Sequence, residues 1–223
     1  MDTPIIGTLN EQTLHLALKN WIDPDPSHHE VKYLGAVADV MNENGIFEIE
    51  TRSFSRLKKK VSRFIEEQNV TVVFPIAEHT KVVIVDKDGK EIKSYRSPKK
   101  GDKRELLCQM FLLPPEVLDS ERLKFVIIML DVIQYRQVVS NGKRLVTKKA
   151  DRRPTSINGS ETVEGRKALL DFCVIPDGDF TAADFSKANK LNGRKTWTVL
   201  KLYENLGLLS CDKSGRAYIY RRI

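Results

Sequence analysis

Apolar positions along this chain change period several times, and each change marks an element. Leu14, Leu18 and Trp21 recur near helical spacing over residues 11–21, Asn10 offers a cap, and Asp23-Pro24-Asp25-Pro26 stops the helix. Three short extended runs follow, residues 30–34, 36–41 and 46–51, with turn chemistry at Asn42-Glu43-Asn44-Gly45; they predict an antiparallel meander. Phe54, Leu57, Val61, Phe64 and Ile65 then hold one face of a helix over residues 54–67. The unbroken apolar run of residues 70–75 predicts a strand buried on both faces, joined to the third strand by that helical crossover.

Further on, residues 81–85 and 91–95 flank the turn Asp86-Lys87-Asp88-Gly89 and predict a hairpin, and residues 103–112 a helix before Pro114-Pro115. Residues 125–139 are apolar and β-rich, and Asn141-Gly142 turns them into a strand returning through Val146. Hydrophobic period is lost over residues 150–165, which suggests a linker or mobile loop, with a connecting helix over residues 166–174. The expected division is therefore an α/β domain over residues 1–149, a linker or connecting helix over 150–176 and a second domain over 177–223. In the last, a short helix from Phe180, a turn at Asn192-Gly193-Arg194, a helix over 195–206 and a strand, turn and strand over 207–220 give the order helix, turn, helix, hairpin.

Composition narrows the class. With 41% hydrophobic and 30% charged residues in 223, the chain has enough apolar content for two modest cores and is not a disordered tail. No apolar run approaches the roughly 20 residues a bilayer requires, and Met1-Asp2-Thr3-Pro4 carries no signal-peptide pattern, so a cytoplasmic protein with no membrane partner is expected. Cys108, Cys173 and Cys211 are odd in number and widely spaced, which predicts neither a disulfide framework nor a zinc site. A net charge of +7 favours a polyanionic partner such as nucleic acid.

Candidate chemistry concentrates in the meander. Alternation on a strand turns Glu48 and Glu50 to one face and Phe47 and Ile49 to the other, and pairing across the 42–45 turn brings Asp39 beside Glu48. Such an oxygen-rich group suits Mg²⁺; the plainer alternative is a solvated sheet face. Phosphate-binding glycine loops, HExxH, GxSxG and Cys/His zinc spacings are missing from the sequence, and His15, His28, His29 and His79 are not spaced as a metal site.

Asp39, followed by Glu48-Ile49-Glu50 and a basic helix after Arg52, resembles the PD-(D/E)XK nuclease superfamily over residues 9–76. Its wording Glu48-Ile49-x-Thr51-Arg52-x-Phe54-Ser55 is also similar to that of a set of uncharacterised bacterial proteins. The resemblance implies a mixed sheet flanked by helices, with Asp39 and Glu48 holding Mg²⁺ or Mn²⁺. Glu50 takes the place of the motif lysine, as in ExE variants, to bind metal or act as a base. Glu11 and Glu30 match places where relatives supply another acid, and Lys58 on the following helix is a candidate replacement for the lysine, or simply an exposed helix residue. Arg52 and Arg56 are candidates for DNA phosphates.

Residues 178–223 resemble the winged-helix family, ending on Leu206-Gly207-Leu208-Leu209. That resemblance implies Arg194, Lys195, Thr196 and Thr198 as groove contacts and Lys213 and Arg216 as phosphate contacts on the wing. A protein partner or a homodimer is the competing use of such a module. Together the two resemblances imply a metal-dependent DNA endonuclease; a noncatalytic DNA- or protein-binding regulator that keeps a degraded nuclease fold is the alternative.

Overall fold

The structure, a computed structural model, describes residues 12–142, 144–215 and 217–223, without the side chains of Gln12 and Asn141. Helix α1 (Gln12–Ile22) leads into strands β1 (His29–Tyr33), β2 (Ala36–Asn42) and β3 (Gly45–Ile49), the antiparallel meander expected from the alternation. Gly45 closes its second turn at φ +113, and a Cβ there would meet the Asn69 carbonyl at 2.4 Å, so both the backbone and the close packing demand glycine. A 3-10 turn at Phe54–Arg56 and helix α2 (Lys58–Phe64) then cross over to β4 (Val70–Val85), which runs parallel to β3. The crossover helix is shorter than its apolar period suggests, because the segment begins as the tighter 3-10 turn.

After the hairpin strand β5 (Glu91–Arg96) and helices α3 (Glu105–Met110) and α4 (Pro115–Leu118), β6 (Leu123–Asn141) enters parallel to β4, and β7 (Arg144–Val163) returns antiparallel. The fold is thus α/β, a mixed seven-stranded sheet in the order β1-β2-β3-β4-β6-β7, with β5 pairing the far half of β4. Helices flank both faces. On one, Leu14 and Leu18 of α1 pack on Ile49, Val73, Ile128 and Leu130. On the other, Phe54, Phe64, Leu106 and Ile127 form the larger core.

The 150–165 segment is not a linker. It is the second half of β7, paired with β6 as far as Val163. Its hydrophobic period is missing because only Asp151 and Val163 along β7 are buried, and the strand is held by backbone pairing on one side only. An edge position also explains why Pro154 is tolerated and why Lys148 and Lys149 face solvent there. A 3-10 turn at Lys167–Phe172 takes the place of the connecting helix.

The remaining chain forms β8 (Phe180–Thr181), α5 (Ala182–Asn189), α6 (Gly193–Asn205), β9 (Leu209–Ser214) and β10 (Ala217–Arg222), with a second sheet in the order β8-β10-β9. Thr181 and Asp184 form a reciprocal cap on α5, and the Asn192 side chain caps α6 through the Lys195 amide. This unit shares a core with the first sheet: Phe185, Val199, Leu200 and Tyr203 belong to the cluster that holds Phe54 and Leu106. The Tyr203 hydroxyl donates to the Leu169 carbonyl at 2.6 Å, and Arg104 donates to that of Asn189.

The two neighbouring histidines of the 23–30 turn are part of a staple. His28 Nδ1 lies 2.8 Å from Asp23 Oδ2, Asn42 Nδ2 donates to the same oxygen at 2.8 Å, and His29 Nε2 lies 2.7 Å from the Asp23 carbonyl. The Asn42 bond, the Asp25 amide and His28 hold the Asp23 carboxyl down to about 2, and Asp23 in turn raises His28. A depressed acid stabilises the fold above its ordinary range and loses that contribution as pH falls toward 2. A raised histidine contributes below its ordinary value and loses it as pH rises through the folded one. Asp23→Asn is therefore expected to flatten the decline of the melting temperature between pH 5 and about 2, measured by circular dichroism. Parallel curves for the two proteins would exclude Asp23 as a source of acid lability.

Candidate active site

Asp39 sits where the meander opens. The β2–β3 ladder runs from Asn42–Gly45 to Val40–Phe47, and one step further the Ile49 amide donates at 2.8 Å to Asp39 Oδ2. Leu14 and Leu18 anchor α1 on the sheet and thereby set His15, whose Nε2 lies 3.1 Å from the same Asp39 oxygen. One turn along, Lys19 Nζ reaches Glu30 Oε1 at 2.8 Å, with Glu30 held at φ +53 in β1. Beyond the end of β3, Glu50 Oε1 accepts from the Arg52 amide at 2.6 Å. His15, Lys19, Glu30, Asp39, Glu50, Arg52 and Arg56 together line a cleft of about 540 Å³.

Two carboxylates of this cleft are kept charged. Burial pushes Asp39 upward, but the His15 hydrogen bond and charge, the Lys60 charge and the Ile49 amide outweigh it and lower its pKa. Glu30 is lowered by its bond to Lys19.

Glu48 is different: it is fully buried. Burial first, and then the charge of neighbouring Asp39, raise its carboxyl to about 8 against the pull of Lys60. Lys60 Nζ stands 2.5 Å from Glu48 Oε2, while Oε1 has no hydrogen-bond partner among the described residues. The lysine that reaches the acidic strands is thus Lys60; Lys58 is exposed. Regular alternation ends with β3 at Ile49, and Glu50 lines the cleft whereas Glu48 is enclosed.

Asp39 and Glu50 in the cleft and the orphaned Glu48 Oε1 are hard oxygen donors of the kind a divalent cation takes. Among the described residues no group of three or more His, Cys, Asp or Glu is arranged to hold a metal ion. Asp39 and Glu50 are of the chemical kind that Mg²⁺ takes one or two at a time.

Of the other expected residues, Glu11 and Arg216 lie outside the described residues. Arg194 and Lys213 are exposed, on α6 and β9. Thr198 turns its hydroxyl back to the Arg194 carbonyl at 3.0 Å, and Lys195 lies 3.6 Å from Glu105 of α3. Thr196 is only 3% exposed, so it does not contact a groove; it sits on the face of α6 that carries Val199, Leu200 and Tyr203 into the core. His15, Lys19 and Lys60 were not among the expected site residues. A signal for Lys60 was present: it precedes Phe64 by four residues, so it shares a helix side with the most buried aromatic of α2.

Comparison with known proteins adds relatives but no activity. The chain is 28% identical over 167 residues to an uncharacterised protein of Treponema pallidum (strain Nichols), covering 74% of this chain and 66% of that protein's own length. No solved structure matches. Residues 12–164, from the start of α1 to just past β7, match the family described as a domain of unknown function, DUF8091. The cleft and the whole first sheet lie inside that stretch, and the chain belongs to the DUF8091 family.

Proposed function

We propose that this protein is a metal-dependent DNA endonuclease of the PD-(D/E)XK kind, with a carboxy-terminal winged-helix-like unit that helps to hold DNA. The observation that carries the reading is the grouping of Asp39 with Glu48 and Lys60 at the split of β2 and β3, beside a cleft bordered by Arg52 and Arg56. Asp39 and Glu48 would hold Mg²⁺ or Mn²⁺, with Glu50 as a further oxygen donor or a base. A bound ion would supply Lewis-acid polarisation of a phosphodiester and a more acidic water. The chain's own residues do the rest: His15 fixes the Asp39 carboxylate, Lys60 supplies the cation that the ExE wording lacks, and Arg52 and Arg56 meet phosphate oxygens. Exposed Arg194 and Lys213 supply phosphate contacts from the second unit.

A second reading, a noncatalytic DNA- or protein-binding regulator, draws on the enclosure of Glu48. One experiment separates the two. Purified protein incubated with supercoiled plasmid and oligonucleotides is expected to nick or linearise DNA in Mg²⁺ or Mn²⁺ and to stop when EDTA is added. Retained DNA binding with no cleavage in any metal would replace the nuclease with the regulator.

A further inference from the structure

The far half of the first sheet carries a second feature, lined by cations. A pocket of about 470 Å³ takes in Arg52, Gln134, Lys149 and Arg152, and an adjoining one of about 420 Å³ shares these four and adds Arg136. Pairing of β6 with β7 generates the cluster: Gln134 faces Arg152, and Arg136 faces Lys149 across a register shift. Arg52 also lines the acidic cleft, so groove and cleft adjoin.

Arg136 Nε and Arg152 Nε are both buried and lack a hydrogen-bond partner among the described residues. Two carboxylates line this groove and both are otherwise engaged: the Asp151 oxygens accept from Arg153 Nε and from the Arg152 backbone amide, each at 2.7 Å, and Glu105 lies 3.6 Å from Lys195. Arg153 also lies over the Tyr135 ring at 5.2 Å. Burying part of a guanidinium with no internal acceptor is costly, and a fold that does so twice beside one groove leaves two cations to be compensated by an anion from outside. Guanidinium matches phosphate oxygens best among common acceptors, because its donors form a planar fork.

We propose that the Arg136–Arg152 groove is a binding track for the phosphate backbone of DNA, leading the strand past Arg52 into the acidic cleft. The proposal rests on the nuclease reading for the direction of the strand, and it assigns the main electrostatic capture to the sheet that defines the family rather than to the carboxy-terminal unit.

The test is fluorescence anisotropy with a labelled DNA duplex and a labelled single strand, in EDTA so that no cleavage intervenes, at several salt concentrations. In Arg136→Gln/Arg152→Gln, affinity is expected to fall tenfold or more near 0.1 M salt. The slope of log affinity against log salt should flatten by about two units, one for each lost phosphate contact. Melting temperature should stay level or rise, because both substitutions remove a guanidinium whose Nε is enclosed and unpartnered. Arg153→Gln, which breaks a paired contact, should lower the melting temperature and leave the slope unchanged. Unchanged affinity and slope in the double variant, no binding by the wild type, or a loss of melting temperature like that of Arg153→Gln would overturn the track. Intact, groove-dependent binding with no cleavage in Mg²⁺ would remove the nuclease reading and leave the track standing; cleavage with an unaltered KM in the double variant would do the reverse.

Discussion

Asp39→Asn is expected to lower the single-turnover rate of metal-dependent DNA cleavage by about 10³-fold, since several kcal/mol of charge stabilisation would go and each ~1.4 kcal/mol is a factor of ten. The substitution is nearly isosteric. An asparagine carbonyl can still accept from the Ile49 amide, which now donates at 2.8 Å, so the split of β2 and β3 keeps its plug. What goes is the negative charge that faces His15 and that is held ionised against burial. Loss of cleavage with a melting temperature within a few degrees of wild type, and with unchanged DNA affinity in EDTA, would assign Asp39 to the chemistry. Cleavage within twofold of wild type would show that the cleft is not a catalytic centre.

The meander, the crossover and the hairpin of β4 and β5 were legible because each carries its own local signal: Gly45 and the 42–45 turn, the helical period of Leu57, Val61 and Phe64, the run from Val70. Residues 150–163 failed on the same logic. β7 is an edge strand, most of its side chains are solvated, and its structure comes from β6, a partner that the pattern of its own residues cannot report. The basic groove is invisible in the sequence for this reason, since Arg152 falls in a polar stretch without hydrophobic period and Arg136 in an apolar strand, and only the β6–β7 register brings them together. Within the cleft, spacing pointed to Asp39 and Glu50 but placed Glu48 on the same face as Glu50, whereas Glu48 is enclosed; the partners that set the ionisation of Asp39 and Glu48 come from α1 and α2, whose docking angles are tertiary facts. Thr196 shows the opposite error: a helix-start position suits a groove contact in isolation, yet α3 and the shared core bury that face.

Lys60→Met should reduce cleavage by about 10²-fold and lower stability by about 3 kcal/mol, and the two losses should separate in a double variant. Glu48 is fully buried with Lys60 Nζ 2.5 Å away, so removing the lysine leaves a carboxyl with no opposite charge beside it. Breaking one side of a buried pair commonly costs about 3–5 kcal/mol. Here the loss should fall at the lower end, because a carboxyl already raised to about 8 will take up a proton rather than remain charged. Methionine keeps the length and the apolar stem, which confines the change to the charge. Adding Glu48→Gln removes the need for a counter-charge altogether, and Lys60→Met/Glu48→Gln should therefore recover most of the stability lost in the single variant. It should recover no cleavage, since the cation and an oxygen donor would both be gone. Denaturant titrations give the stabilities and single-turnover assays the rates; additive stability losses would mean that Lys60 and Glu48 do not act as a pair, and cleavage by Lys60→Met at the wild-type rate would take the lysine out of the active site.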